Sequence, residues 1–131
     1  MNNRYTIRQT EENTGVSAHT LRYYERIGLI KNIERNTSGH RQYTDKDLNW
    51  VTLLSCLRST GMSIQQMQAF LALIDEGDHT IPERCEMFET HHSALCSHIE
   101  ELQGYLKVIE GKLFHYRKRS KEFVISTENR T

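Results

Sequence analysis

Cationic side chains interleaved with aromatic hydroxyls carry the chemical message of this 131-residue chain. Arg22, Tyr23 and Arg26 lie in the run Thr20-Leu-Arg-Tyr-Tyr-Glu-Arg-Ile-Gly-Leu29, and Arg41 and Tyr43 lie in Gly39-His-Arg-Gln-Tyr43. Residues four apart share a helix face, so Arg22 and Arg26 can straddle phosphates. The bland alternative for either arginine is a surface ion pair with Glu25 or an acidic neighbour. Tyr23 can donate its hydroxyl to a phosphate, whereas Tyr24 faces elsewhere and reads as a core aromatic. On the second run Arg41 and Tyr43 are phosphate candidates, and His40 is either a third or a plain turn residue. Ser17, His19 and Thr20 fall in the first turn of the second helix, where a helix-turn-helix places base-edge contacts. Ser17 doubles as a helix cap, and Arg58 is a weaker backbone candidate.

Four helix starts position these side chains. Thr6 precedes Gln9 and Ser63 precedes Gln66, two capping boxes whose side chains satisfy orphan N–H groups reciprocally. Thr44 before Asp47 is an acidic variant, and Ser17 follows the turn Thr14-Gly15-Val16. The reading is helix 6–13, helix 17–27, a hairpin wing over 30–43, helix 44–59, a turn at Gly61 and helix 63–75. Apolar spacing supports the later helices through Leu48, Val51 and Leu54, then Ile64, Met67, Leu71 and Ile74. This is a winged helix-turn-helix over residues 1–76. The polar, breaker-rich stretch 77–82 reads as a linker.

Beyond it Phe88, His92, Leu95, Ile99, Leu102, Leu106, Ile109, Leu113 and Tyr116 recur in steps of four and three. That is an a/d seam, the period that wraps helices around each other. A helix over 83–118 would be about 50 Å long at 1.5 Å per residue, more than a small domain covers. The seam therefore calls for a partner, most simply a second copy of the chain. The competing reading is a long helix folded back on its own domain. Residues 119–131 form a C-terminal tail with a basic start and a Phe123-Val-Ile125 patch.

Bulk composition agrees only after the chain is divided. It is formally neutral overall, yet residues 1–60 hold 9 Lys/Arg against 6 Asp/Glu, a balance of +3, and the remainder balances at −3. A basic first half joined to an acidic second suggests a nucleic-acid arm attached to something else. No segment reaches the ~20 apolar residues of a membrane span, and the N-terminus lacks an apolar signal stretch. A cytoplasmic protein without membrane contact is expected. Three cysteines without a CxxC pair argue against a disulfide framework.

Taken together, Tyr5-Thr-Ile7, Thr14-Gly-Val-Ser17, the Thr20–Leu29 run, Gly39-His-Arg-Gln-Tyr43, Asp47-Leu48 and Gly61-Met-Ser-Ile64 resemble the MerR family of transcription regulators, in order and spacing, over about the first 75 residues. The resemblance implies a mainly α protein, a homodimer with a winged helix-turn-helix arm at each end of an antiparallel coiled coil. It also implies binding to double-stranded promoter DNA, distortion of the promoter spacer, and an indirect partnership with RNA polymerase, with no cofactor. One departure stands out: Thr10 and Glu11 occupy positions where similar proteins carry apolar residues.

Within that family, Cys56-Leu-Arg-Ser-Thr-Gly-Met-Ser-Ile64 resembles the branch answering reactive aldehydes and other thiol electrophiles, with a single cysteine here as proposed sensor. A thiolate attacks such electrophiles directly, and cations favour the thiolate; Arg58 stands two positions on. The bland reading is a small buried hydrophobe. The rival within the family is zinc or copper sensing by Cys85, His92 and Cys96, ligand types suited to either metal. Against it, metal-sensing relatives place cysteines after the long helix, and this tail has none. A thiol enzyme built on Cys56 is a third class, but no His or acid stands near it in sequence to assist.

Overall fold

The computed structural model describes residues 3–130 of the chain. Its elements are α1 (Ile7–Thr14), α2 (Ala18–Arg26), strands β1 (Glu34–Arg35) and β2 (Arg41–Gln42), α3 (Asp45–Ser59), α4 (Ile64–Glu76), a 3₁₀ turn (Asp78–Thr80) and α5 (Ile81–Glu128). The chain divides into two compact units, residues 1–89 and 90–131.

Helices α1 to α4 each start on the expected cap. Thr6, Thr44 and Ser63 close full capping boxes with Gln9, Asp47 and Gln66, and the Ser17 hydroxyl accepts from Thr20 N–H. Helix α1 ends on Gly15, whose left-handed φ of 75° lets its N–H reach the Glu11 carbonyl. The core gathers Leu21 and Tyr24 of α2, Leu29 and Ile30 after it, Val51, Leu54 and Leu57 of α3, and Met62 and Met67 around α4. The Trp50 indole N–H donates to the Leu29 carbonyl at 2.7 Å, tying α3 to the segment leaving α2.

Thr10 is completely buried, as the apolar residue expected there would be. Its hydroxyl is accommodated because Oγ1 donates to the Thr6 carbonyl at 2.9 Å within the same helix. Glu11 stays exposed, and its Oε2 accepts from Ala18 N–H at 3.2 Å, an acidic cap where the positive end of the α2 dipole favours one. The departure at these two positions is thus repacked rather than disruptive.

The wing is smaller than the expected 30–43 hairpin. Only Glu34–Gln42 and Arg35–Arg41 pair, antiparallel, and a separate bridge joins Tyr5 to Tyr43 through two N–H···O bonds of 2.8 Å.

The second half differs from expectation in three places. The stretch 77–82 holds the 3₁₀ turn and the start of α5. Thr80 is fully buried there, donating to the Leu73 carbonyl at 2.6 Å, and Arg84 donates to Thr80 Oγ1 and to the Gly77 carbonyl. Pro82 lies in the first turn of α5, where no intrahelical N–H is required. Second, residues 119–128 continue α5 instead of forming a separate tail. Third, Phe88 is not a free seam position: it packs on the core of the first unit, edge-on to Phe70. From Thr90 onward α5 has no buried residue.

Candidate nucleic-acid interface

Arg4, Arg8, Arg22 and Arg41 line one groove of about 350 Å³, together with His40, Asn36 and Gly39 of the wing. Three elements converge there: the start of α1, the exposed face of α2, and β2 with its turn. Arg22 and Arg41 were expected on sequence grounds; Arg4 and Arg8 were not. Arg8 carried a signal of its own, since a cation in the first turn of a helix opposes the dipole and calls for another use.

The charges in this groove are unequally engaged. Arg4 Nε pairs with Glu34 at 3.0 Å, Arg8 Nε with Glu12 at 3.5 Å, and Arg41 Nε with Glu25 at 2.9 Å. Arg22 is exposed and has no ion pair among the described residues. Desolvated partners are therefore unnecessary for Arg22 to meet an anion. Arg26 is exposed and lies over the Tyr23 ring, 5.4 Å from its centroid, so the two present one combined cation–aromatic surface. Glu25 pairs with the wing rather than with either α2 arginine.

His19 is exposed at the start of α2. Ser17 serves as the cap, and its hydroxyl donates to Thr20 Oγ1 at 2.9 Å, so the two act as one polar unit. His40 is exposed in the wing, its N–H held by Asn36 Oδ1 at 3.0 Å. Arg58 lines a second, smaller hollow with Ser17, Thr20, Ser55, Ser59 and Tyr24. Tyr24 is a buried core aromatic, as expected.

Tyr43 requires correction. It is completely buried, and its hydroxyl has no hydrogen-bond partner among the described residues. The bridge to Tyr5 and the short strand β2 turn this side chain inward, while Arg41, two residues earlier, remains half-exposed. Burial raises its pKa above the usual 10.0; Arg41 works against that rise and Glu25 adds to it, both more weakly. A hydroxyl so placed does not reach a phosphate.

Cys56 is exposed on α3. Cys85 is exposed too, but its thiol donates to Glu89 Oε1 at 3.5 Å, and that bond raises its pKa, holding it as the thiol. Cys96 Sγ lies 3.8 Å from His92 Nε2, one helical turn apart. Among the described residues no three His, Cys, Asp or Glu side chains cluster as a metal site would need. No helix of the described residues is long and apolar enough to cross a membrane.

Comparison with known proteins points one way. Residues 5–73 match the family model of MerR helix-turn-helix regulatory proteins. An uncharacterized HTH-type transcriptional regulator of Haemophilus influenzae is 43% identical over 114 residues, spanning 87% of this chain and 84% of the relative. The uncharacterized HTH-type transcriptional regulator YyaN of Bacillus subtilis is 31% identical, spanning 92% and 96%. Among solved structures, HiNmlR, a MerR family regulator lacking the sensor domain and bound to promoter DNA, superposes with a TM-score of 0.85 at 42% identity, covering 88% of this chain and 87% of that one.

Proposed function

The chain belongs to the MerR family of helix-turn-helix regulators, and on that premise we propose that it binds promoter DNA as a homodimer and switches transcription when Cys56 is modified by an electrophile. The observation that carries the DNA reading is the groove in which Arg22, unpaired with any carboxylate among the described residues, stands among Arg4, Arg8 and Arg41 between α2 and the wing. Backbone contacts of this kind set register and orientation on the duplex. HiNmlR, solved on promoter DNA, supports the same use of the fold.

The homodimer rests on the apolar stripe of α5. Ile99, Leu102, Leu106, Ile109, Leu113 and Tyr116 are each exposed, and they recur in the 4-3 steps of a seam that buries its stripe against a second helix. Phe123 continues that spacing seven residues beyond Tyr116 and is also exposed. An antiparallel pairing of two such helices would set two reading heads apart on one duplex. Bound to both half-sites, the dimer distorts the spacer, and polymerase responds to the DNA.

For the trigger, Cys56 offers an exposed thiol on α3, the helix that also carries Arg58. Adduct formation there adds bulk or charge to the exposed surface of α3. The test has two arms. Anisotropy titrations of palindromic promoter DNA should show affinity falling with salt, with a log–log slope of about −0.9 per phosphate neutralised; salt-insensitive or absent binding overturns the DNA reading. A Cys56→Ser variant should bind DNA normally and lose the transcriptional response to aldehydes; a full response removes Cys56 as sensor.

A metal-responsive reading has one observation behind it, the 3.8 Å approach of Cys96 Sγ to His92 Nε2. It predicts stoichiometric zinc in the purified dimer that a Cys96→Ser variant loses.

A further inference from the structure

Of the two paired positions of the wing, one sets two arginines directly opposite each other, Arg35 on β1 and Arg41 on β2. Like charges directly opposite across an antiparallel pair are destabilising, and a two-stranded hairpin is marginal even without them. Beyond the two pairs, Asn36 N–H donates to the His40 carbonyl at 2.9 Å and Arg4 pairs with Glu34, but neither bond offsets the opposed charges. The compensating group comes from another element. Glu25 of α2 accepts from Arg41 Nε at 2.9 Å and from Arg35 Nη2 at 3.5 Å through the same oxygen, Oε1. Arg35 also donates through Nη1 to the Gly39 carbonyl in the hairpin turn at 3.1 Å. One carboxylate thus reaches both strands and, through Arg35, the turn that joins them. The Glu25 and Arg41 side chains are only 22% and 23% exposed, so this pair is shielded more than a typical surface bridge.

A carboxylate on the face of α2 that carries Arg22 repels a polyanion. We propose that Glu25 is the positioning residue of the wing: it neutralises the Arg35–Arg41 opposition, fixes the hairpin to α2, and so sets where Arg41 stands relative to Arg22. The proposal rests on the DNA-binding reading for its consequence but not for its structural core. Glu25 itself touches no DNA.

Two electrostatic effects of opposite sign make the claim decidable. If Glu25 were only an anion facing the duplex, Glu25→Gln would tighten binding. As a strut, its loss leaves two guanidinium groups facing each other, and binding weakens although the protein becomes more positive.

The experiment compares the full chain with its Glu25→Gln and Glu25→Gln/Arg35→Gln variants. Backbone order parameters for residues 34–42 are measured by NMR in the free protein, and affinity for promoter DNA is measured across a salt series. Wing order parameters should fall from about 0.85 to below about 0.6 in Glu25→Gln, with α2 and α3 unchanged. Its DNA affinity should drop about fivefold, the scale of one well-made ion pair. The double variant, no longer carrying opposed charges, should regain wing order. Unchanged wing order or tighter DNA binding in Glu25→Gln overturns the proposal, as does a double variant no more ordered than the single. Should Glu25→Gln lower the melting temperature of the whole unit, Glu25→Asp, which keeps the charge and shortens the reach, should still loosen the wing; a rigid wing in that variant rejects the strut. A wild-type chain that fails to bind DNA would count against the functional reading, while wing order in the free protein would still decide the role of Glu25.

Discussion

The Phe88 ring meets the Phe70 ring edge-on with centroids 5.0 Å apart, and Phe70 stacks in turn on Trp50 at 6.0 Å. The first residue of the sequence-derived seam therefore belongs to the core of the first unit. Aromatic pairs of this geometry contribute about 0.5–1.5 kcal/mol beyond the area they bury. Phe88→Ala should lower the unfolding free energy by about 2 kcal/mol, less than a fully buried phenylalanine because Phe88 is half-exposed. The dimer mass by light scattering should stay unchanged. Leu106→Arg, in the exposed stripe, should instead give a monomer. A monomeric Phe88→Ala protein would return Phe88 to the seam.

Tyr43 gives a second test, because the same substitution separates burial from DNA contact. Its hydroxyl is buried without a partner among the described residues, and such a group costs about 1–3 kcal/mol in desolvation. Tyr43→Phe should raise stability by about 1 kcal/mol in chemical denaturation and leave DNA affinity unchanged. A phosphate contact would require weaker binding. The pH dependence follows from the same burial. Folding raises the Tyr43 pKa above 10.0, so below pH 10 the hydroxyl is protonated in both states and its contribution is complete. As pH climbs past 10 the unfolded chain releases that proton first, and stability declines. The Tyr43→Phe variant should lose stability less steeply in that alkaline range.

The helix starts were legible because a capping box is closed within four residues: Thr6 and Gln9, Thr44 and Asp47, and Ser63 and Gln66 need nothing distant. The grouping of Arg22, Tyr23 and Arg26 was legible for a similar reason, since the three share one short helix. What escaped depends on partners far along the chain. Tyr43 turns inward because its backbone pairs with Tyr5, 38 positions earlier, and no local pattern distinguishes it from Arg41. Phe88 satisfies the 4-3 spacing as well as Leu95 does, and only the position of Phe70 separates them. Arg4 and Arg8 join the groove because α1 packs against α2, a tertiary fact. The expected linker was read from composition, which does not register that Arg84 returns to cap the Gly77 carbonyl.

Thr10 tests how a fully buried position of α1 tolerates a hydroxyl. The Thr6 carbonyl already accepts Thr10 N–H at 2.9 Å in addition to the hydroxyl, so removing Oγ1 leaves no orphan acceptor. Thr10→Val keeps the shape and should change stability by less than about 1 kcal/mol. Thr10→Ala deletes buried volume and should cost about 1–2 kcal/mol. Thermal unfolding of the two variants measures the difference, and a Val variant as damaged as the Ala one would mean that the hydroxyl, not the volume, holds α1.

Arg22 is the sharpest prediction for the interface, because it alone of the four groove arginines is not bound to a carboxylate among the described residues. Arg4, Arg8 and Arg41 must surrender or share a partner to meet a phosphate, which offsets part of the gain. Arg22→Ala should therefore cost more affinity than Arg8→Ala, about tenfold or more for a charge-assisted hydrogen bond. In a homodimer every substitution is made twice, once in each arm. Each lost phosphate contact lowers the salt slope by about one, so Arg22→Ala should flatten it by about two. The weakening should be uniform across operator sequences, since a phosphate carries no base identity. A slope that stays at the wild-type value while affinity falls would assign Arg22 to the fold or to a base edge instead.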